Sequence, residues 1–135
     1  MPTKTTNTSA YVPGVCNINL EEIASRRRAG YLGASIFVVV LLICLTLTSL
    51  RWWRIILLAP AFLAAIGFLQ ARNRFCVGYG TSGMQNAEPG STQAHTVTSE
   101  AALRKDKQRS NKMNLQALAF AVLATLITLA IPSLK

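Results

Sequence analysis

The most reactive groups this sequence can bring together are two thiols. Cys16 and Cys76 each stand outside an apolar stretch, and a hairpin between those stretches would carry both to one side of a membrane. Paired thiols can relay sulfur or cycle between dithiol and disulfide, and Arg72 and Arg74 would increase the thiolate character of Cys76. A reducing cytoplasm argues against a standing disulfide, and two thiols without a third ligand fall short of a zinc site. Cys44 lies inside an apolar run and reads as a small packing residue. The acidic residues are Glu21, Glu22, Glu88, Glu100 and Asp106, and none lies in an apolar run. That argues against a proton-coupled carrier, which needs ionisable groups within the membrane. His95 stands alone in a polar loop, and no paired carboxylates, Ser/His/Asp set or phosphate loop can be assembled. The expectation is no enzyme, no catalytic residue, no cofactor and no metal.

One string imitates a functional motif. Val77-Gly78-Tyr79-Gly80 resembles four residues of the potassium-channel selectivity filter, whose carbonyls replace the hydration shell of the ion. Cys76 stands where the filter has Thr, and Arg72 and Arg74 would set cations at its mouth. The string also follows the second apolar run on the cytoplasmic side, whereas a filter is reached from outside through a short pore helix. A Gly-rich turn leaving a helix is the expected structure.

These residues are positioned by three uncharged apolar runs, 31–50, 55–71 and 113–134, in a chain of 135 residues that is 51% hydrophobic. Runs near twenty residues are about 30 Å long as helices and match the hydrocarbon core of a bilayer. The predicted fold is all-α: an integral membrane protein with three transmembrane helices (31–50, 54–71, 113–134), a helical hairpin plus a third span. The link 51–54 is so short that the first two spans must be antiparallel. Trp52 and Trp53 at the link are interface anchors. Ala61, Ala64, Ala65, Gly67 and Ala71 recur three or four residues apart, a face that lets helix backbones approach in lipid, against span 1 or a second copy. Ala117, Ala121 and Ala124 suggest a similar face on span 3.

Residues 1–15 read as a disordered cytoplasmic tail, and 16–135 as a single membrane domain. Asn19 offers a helix cap with Glu22 as its capping-box partner, starting a short N-terminal amphipathic surface helix that gives way to span 1 at Gly30 or Gly33. Residues 77–97 read as a flexible cytoplasmic loop. A helix restarts near Thr98 or Ser99, with Glu100–Arg104 as an i,i+4 pair.

Charge sorts to one side of these spans. With a cytoplasmic N-terminus, Lys4, Arg26, Arg27, Arg28, Arg72, Arg74, Arg104, Lys105, Lys107, Arg109 and Lys112 face the cytoplasm, eleven of the 14 Lys and Arg residues. Arg51, Arg54 and Lys135 face outward with the C-terminus, as the positive-inside rule prefers. The ten cytoplasmic flank residues other than Lys4 read as contacts to anionic lipid headgroups, and the formal charge of +9 is flank charge. Nucleic acid is not an expected partner, because no aromatic–basic platform accompanies the charge. The first thirty residues lack the pattern of a cleavable signal, so span 1 reads as an uncleaved signal anchor. With no mitochondrial presequence, the expected location is a bacterial plasma (inner) membrane, multi-pass.

A hairpin introduced by Arg26, Arg27 and Arg28 and leaving through Phe75-Cys76-Val77-Gly78-Tyr79 resembles a small bacterial inner-membrane domain of unknown function, found alone or fused to rhodaneses. The hairpin of that family ends in a Phe-Cys-Pro-x-Tyr-like string. The likeness covers residues 20–80, puts the family's Cys on Cys76 and leaves span 3 without a counterpart; Val77 stands where Pro is usual. It implies a dimeric hairpin near sulfur or thiol chemistry. Taken together, the expected function is a non-enzymatic membrane protein, a scaffold or accessory subunit that packs against itself or a larger membrane complex. The alternatives are a thiol-dependent redox or sulfur-handling module using Cys16 and Cys76, and a small oligomeric channel or carrier.

Overall fold

The computed structural model describes residues 11–47 and 49–134. Lys4, Lys135 and the first ten residues of the expected tail lie outside them. The chain is mostly helical: α1 is Leu20–Leu47, a 3-10 turn Arg51–Leu57 runs into α2, Leu58–Asn73, a short α3 is Val77–Ser82, and α4 is Glu100–Ala130. α1, the 3-10 turn and α2 taken together as Arg51–Asn73, and α4 are long and apolar enough to cross a membrane, with mean hydropathies of 2.5, 1.8 and 1.8 in their most apolar windows. Between α3 and α4 a minimal antiparallel ladder pairs β1, Met84–Gln85, with β2, His95–Thr96.

The expected surface helix and first span are one helix. Asn19 caps it as predicted, its Oδ1 accepting from the Glu22 amide at 3.0 Å. The helix then continues through Gly30 and Gly33 without a break. Those glycines are contact points with α2 instead. A Cβ on Gly33 would lie 2.5 Å from the Ala64 nitrogen, and one on Gly67 would lie 2.5 Å from the Gly30 nitrogen. The two backbones therefore touch through hydrogen atoms alone, and each step along α1 meets a step back along α2, so the hairpin is antiparallel. The small-residue face of α2 is thus turned on α1: Ala61, Gly67 and Ala71 are buried, and Ala64 meets Gly33 directly. Ala65 is half-buried on the flank of that seam.

α4 begins at its Ser99 cap, whose hydroxyl accepts from the Ala102 amide, and stops two residues before Pro132. One stripe of it is buried: Ala102, Asp106, Ser110, Met113, Ala117, Ala121, Thr125 and Thr128, at the three- and four-residue spacing of a single helix face. The third expected span is therefore the distal part of a longer helix whose proximal turns carry the basic residues. Glu100 and Arg104 form no ion pair in its first turn.

The two ends of the bundle differ. At one end Trp52 and Trp53 are 75% and 62% exposed, while the neighbouring Arg54 is fully buried. Its guanidinium donates to the carbonyls of Thr128 and Ile131 and to Ser133 Oγ, closing the last turn of α4. At the other, basic end, two expectations fail. Residues 11–15 are not a free tail: Val12 and Cys16 pair across a tight turn, and the segment is fastened to α4. Residues 77–97 are not a featureless loop. Their first six residues form α3, held down because Gly80 lets the helix sit on Ser110, whose hydroxyl donates to the Val77 carbonyl at 3.2 Å. The filter-like string is thus helical, and hydroxyls of Thr81 and Ser82 also occupy its Val77 and Gly78 carbonyls.

Candidate functional site: a polar lock at the basic end

The polar chemistry of the chain converges where residues 11–19, the exit of α2 and the 84–91 segment meet. Asn17 is the centre. It is fully buried, and all four of its polar groups are engaged. Its Oδ1 accepts from the Cys76 amide at 2.6 Å and its Nδ2 donates to the Cys76 carbonyl at 3.0 Å. Its own amide donates to the Arg74 carbonyl, and its carbonyl accepts from the Asn86 amide at 2.8 Å. A single side-chain amide thus replaces a strand partner for the turn after α2. That turn needs one, because Arg74 ends α2 in the left-handed region at φ 53°, leaving Cys76 extended with its amide outside any helix ladder, while its carbonyl starts the ladder of α3.

Asn19 and Asn86 extend the same network. Asn19 Nδ2 donates to the carbonyls of Glu88 and Ser91 at 2.9 and 3.0 Å, and Asn86 Nδ2 donates to Ser91 and to Glu22. Glu22 does not close a capping box. Its carboxylate instead accepts from three side chains, Arg26, Tyr79 and Asn86. Burial first, then the Glu22 charge and its hydrogen bond, push the Tyr79 hydroxyl above the ordinary phenol range.

A second fastening holds the N-terminal segment to α4. Asp106 is fully buried; its carboxylate accepts from the Tyr11 hydroxyl at 2.6 Å and the Gly14 amide at 2.7 Å. Burial, reinforced by that hydrogen bond and the Asp106 charge, also raises the Tyr11 hydroxyl well above its ordinary value. Arg109, one turn on, reaches Asn73 Oδ1 at 2.6 Å and so ties α4 to the end of α2.

The two candidate thiols are brought to the same end and then turned into different surroundings. Cys76 is 4% exposed, packed with Ile18, Ile23 and Ala71, and its sulfur accepts from Arg26 Nη2 at 3.2 Å. Cys16 is half-buried, points its thiol toward the Ile18 carbonyl at 3.6 Å and lines a surface hollow of about 230 Å3 with Asn19, Arg74 and Pro89. No disulfide joins them. The cation on the Cys76 sulfur is therefore Arg26 rather than Arg72 or Arg74, whose side chains are exposed. Arg26 and Arg109 depart from the expected headgroup role for the same reason: both are spent on partners inside the fold. Arg27, Arg28, Arg72, Arg74, Arg104, Lys105, Lys107 and Lys112 are exposed and keep it open to them. Among the described residues no group of three or more His, Cys, Asp or Glu could hold a metal ion.

Sequence reasoning missed Asn17, Asn86, Asp106 and Arg54. A partial signal existed for Asp106, which lies on the helical face continued by Ala117 and Ala121. Compared with known proteins, the chain matches no family model, no curated protein and no solved structure.

Proposed function

We propose that the protein is a non-enzymatic integral membrane protein of a bacterial plasma membrane, working as a scaffold or accessory subunit, with its basic end in the cytoplasm. The observation that carries this reading is the state of the polar lock. The Glu22 carboxylate is tied by three donors, Asn17 has no free polar group, and Asp106 is held by two donors from the N-terminal segment. Groups committed in this way position chain segments; the buried atoms of the lock around Asn17 that have no partner among the described residues, Asn86 Oδ1 and Arg26 Nε, belong to an amide and a guanidinium, neither of which is a nucleophile or general base. The rest of the surface is adapted to an apolar surrounding: in the three apolar helices only 17%, 33% and 28% of the most apolar window is buried. What remains is available to lipid, a second copy or a larger complex. Extraction in mild detergent tests the proposal. The expected result is a particle of defined stoichiometry, either self-assembled or with a partner, from protein that resists alkaline wash. A monomer that by itself carries ions or solutes across liposomes would replace the scaffold reading with a channel or carrier.

A second reading, a thiol-handling module, is favoured by one contact, Arg26 on the Cys76 sulfur. It requires Cys76 to become exposed, since the sulfur is closed off in this arrangement. Rapid alkylation of Cys76 in intact membranes, with loss of a cellular phenotype in Cys76→Ser, would establish it. Slow alkylation and a silent Cys76→Ser would remove it.

A further inference from the structure

On one face of the bundle, α1, α2 and α4 leave a groove of about 490 Å3. Its walls are rings, Phe37, Phe68 and Phe120, and its floor is hollowed by small residues such as Ala61 and Ala124. One charged group lines it, Arg72, at the basic end. Arg72 differs from the arginines committed inside the fold. Arg26, Arg54 and Arg109 are committed to partners, whereas Arg72 is exposed and makes no hydrogen bond or ion pair with a described residue. The depth is also informative. From Arg72 to Ala61 is eleven residues of α2, about 16 Å at 1.5 Å per residue. That is half of a hydrocarbon core of about 30 Å, the thickness of one leaflet.

We infer that this groove is a binding site for one anionic phospholipid of the leaflet at the basic end, its phosphate on Arg72 and an acyl chain along the aromatic walls. A neutral apolar partner would leave the guanidinium unmatched at the level where headgroups lie. A helix of a second copy would have to follow a groove that stops half-way across the bilayer. The larger groove between α2 and α4, about 950 Å3 and lined by Ile55, Phe62, Asn111 and Leu118, has no cation and serves as an internal comparison.

The inference rests on the chain spanning a bilayer, as proposed above. The test is native mass spectrometry of the full chain released from nanodiscs of equal parts phosphatidylglycerol and phosphatidylcholine. One retained phosphatidylglycerol per chain is expected, favoured over phosphatidylcholine by about fivefold, the contribution of one basic residue near an anionic surface. Arg72→Gln should bring that preference to about parity, whereas Arg51→Gln, an exposed arginine at the opposite end of the bundle, should leave it unchanged. Ala124→Trp should remove the retained lipid by filling the groove, and Ala59→Trp in the larger groove should not. Equal retention of both lipids by wild type, equal effects of the two arginine variants, or a lipid-free dimer would each overturn the site. A chain that does not enter nanodiscs overturns the membrane reading itself, so the two failures are distinguishable.

Discussion

Asn17→Ala should unlock the basic end, and Cys76 reports it. The side chain of Asn17 makes two hydrogen bonds to the Cys76 backbone, at 2.6 and 3.0 Å, within a site from which water is excluded. Removing it leaves the buried Cys76 amide without a partner and takes one of two donors from the Cys76 carbonyl, which keeps the Gly80 amide at 3.0 Å. One unmet buried amide costs about 1–3 kcal/mol, and that is the expected loss. Cys76 is 4% exposed, so its alkylation requires the turn to open. Where opening and closing are fast relative to labelling, the rate follows the open population and should rise by roughly 5-fold to 150-fold. The assay is peptide-resolved alkylation in isolated membranes, with the half-buried Cys16 as internal comparison and Gln93→Ala as a control on the exposed loop. Asn17→Asp should be at least as damaging, because it loses the donor and sets a carboxylate against the Cys76 carbonyl. A change of less than about threefold in Cys76 labelling, under ~1 kcal/mol, would refute the view that Asn17 holds the turn.

Three further outcomes follow from the same geometry. Gly33→Ala would place a Cβ 2.5 Å from the Ala64 nitrogen and should cost about 1–3 kcal/mol by forcing α1 from α2, whereas Gly78→Ala, with only the Cys76 sulfur at 3.7 Å, should be neutral or slightly stabilising; thermal unfolding in detergent separates them. Arg54→Leu strips the guanidinium from the Thr128 carbonyl, which keeps the Ile131 amide, and from the part-buried Ile131 carbonyl; it should cost about 1–3 kcal/mol in all and accelerate hydrogen exchange in the last turn of α4 while leaving the basic end unchanged. The raised phenols of Tyr11 and Tyr79 favour the folded state while protonated, so their contribution is complete below the unfolded value of 10.0 and is lost as pH rises beyond it toward the folded values. Tyr11→Phe should remove the Tyr11 part of that alkaline loss, read by tyrosinate absorbance alongside unfolding; an unchanged alkaline profile would contradict the Asp106 fastening.

The helices were legible from the sequence because apolar length is a local property. Asn19 as a cap and Ser99 as a restart were legible for the same reason: a cap acts on amides three residues away. Gly30 and Gly33 were misread, since a glycine marks either a break or a close approach, and only the position of Ala64 decides between them. Arg26 was read as one of three equivalent arginines, although its spacing from Glu22 and Gly30 puts it on the face turned to α2. Asn17 gave no usable signal, Asp106 only its place on the helical face of Ala117 and Ala121, and Arg54 none. Their partners lie 59, 95 and 74 residues away, and nothing in their neighbours announces a polar group that will be buried. The lock is a product of tertiary topology, which brings residues 11–19 beneath the exit of α2.

Under the proposed function, the buried polar groups hold an assembly-forming protein together and do not turn over a substrate. The most direct measurement is the mass of the particle extracted from membranes in mild detergent, for wild type and for the double variant Cys16→Ser, Cys76→Ser. One defined assembly, of the same mass in both, is the predicted result. A lone chain in the wild type, or an assembly that disappears with the two sulfurs, would contradict it.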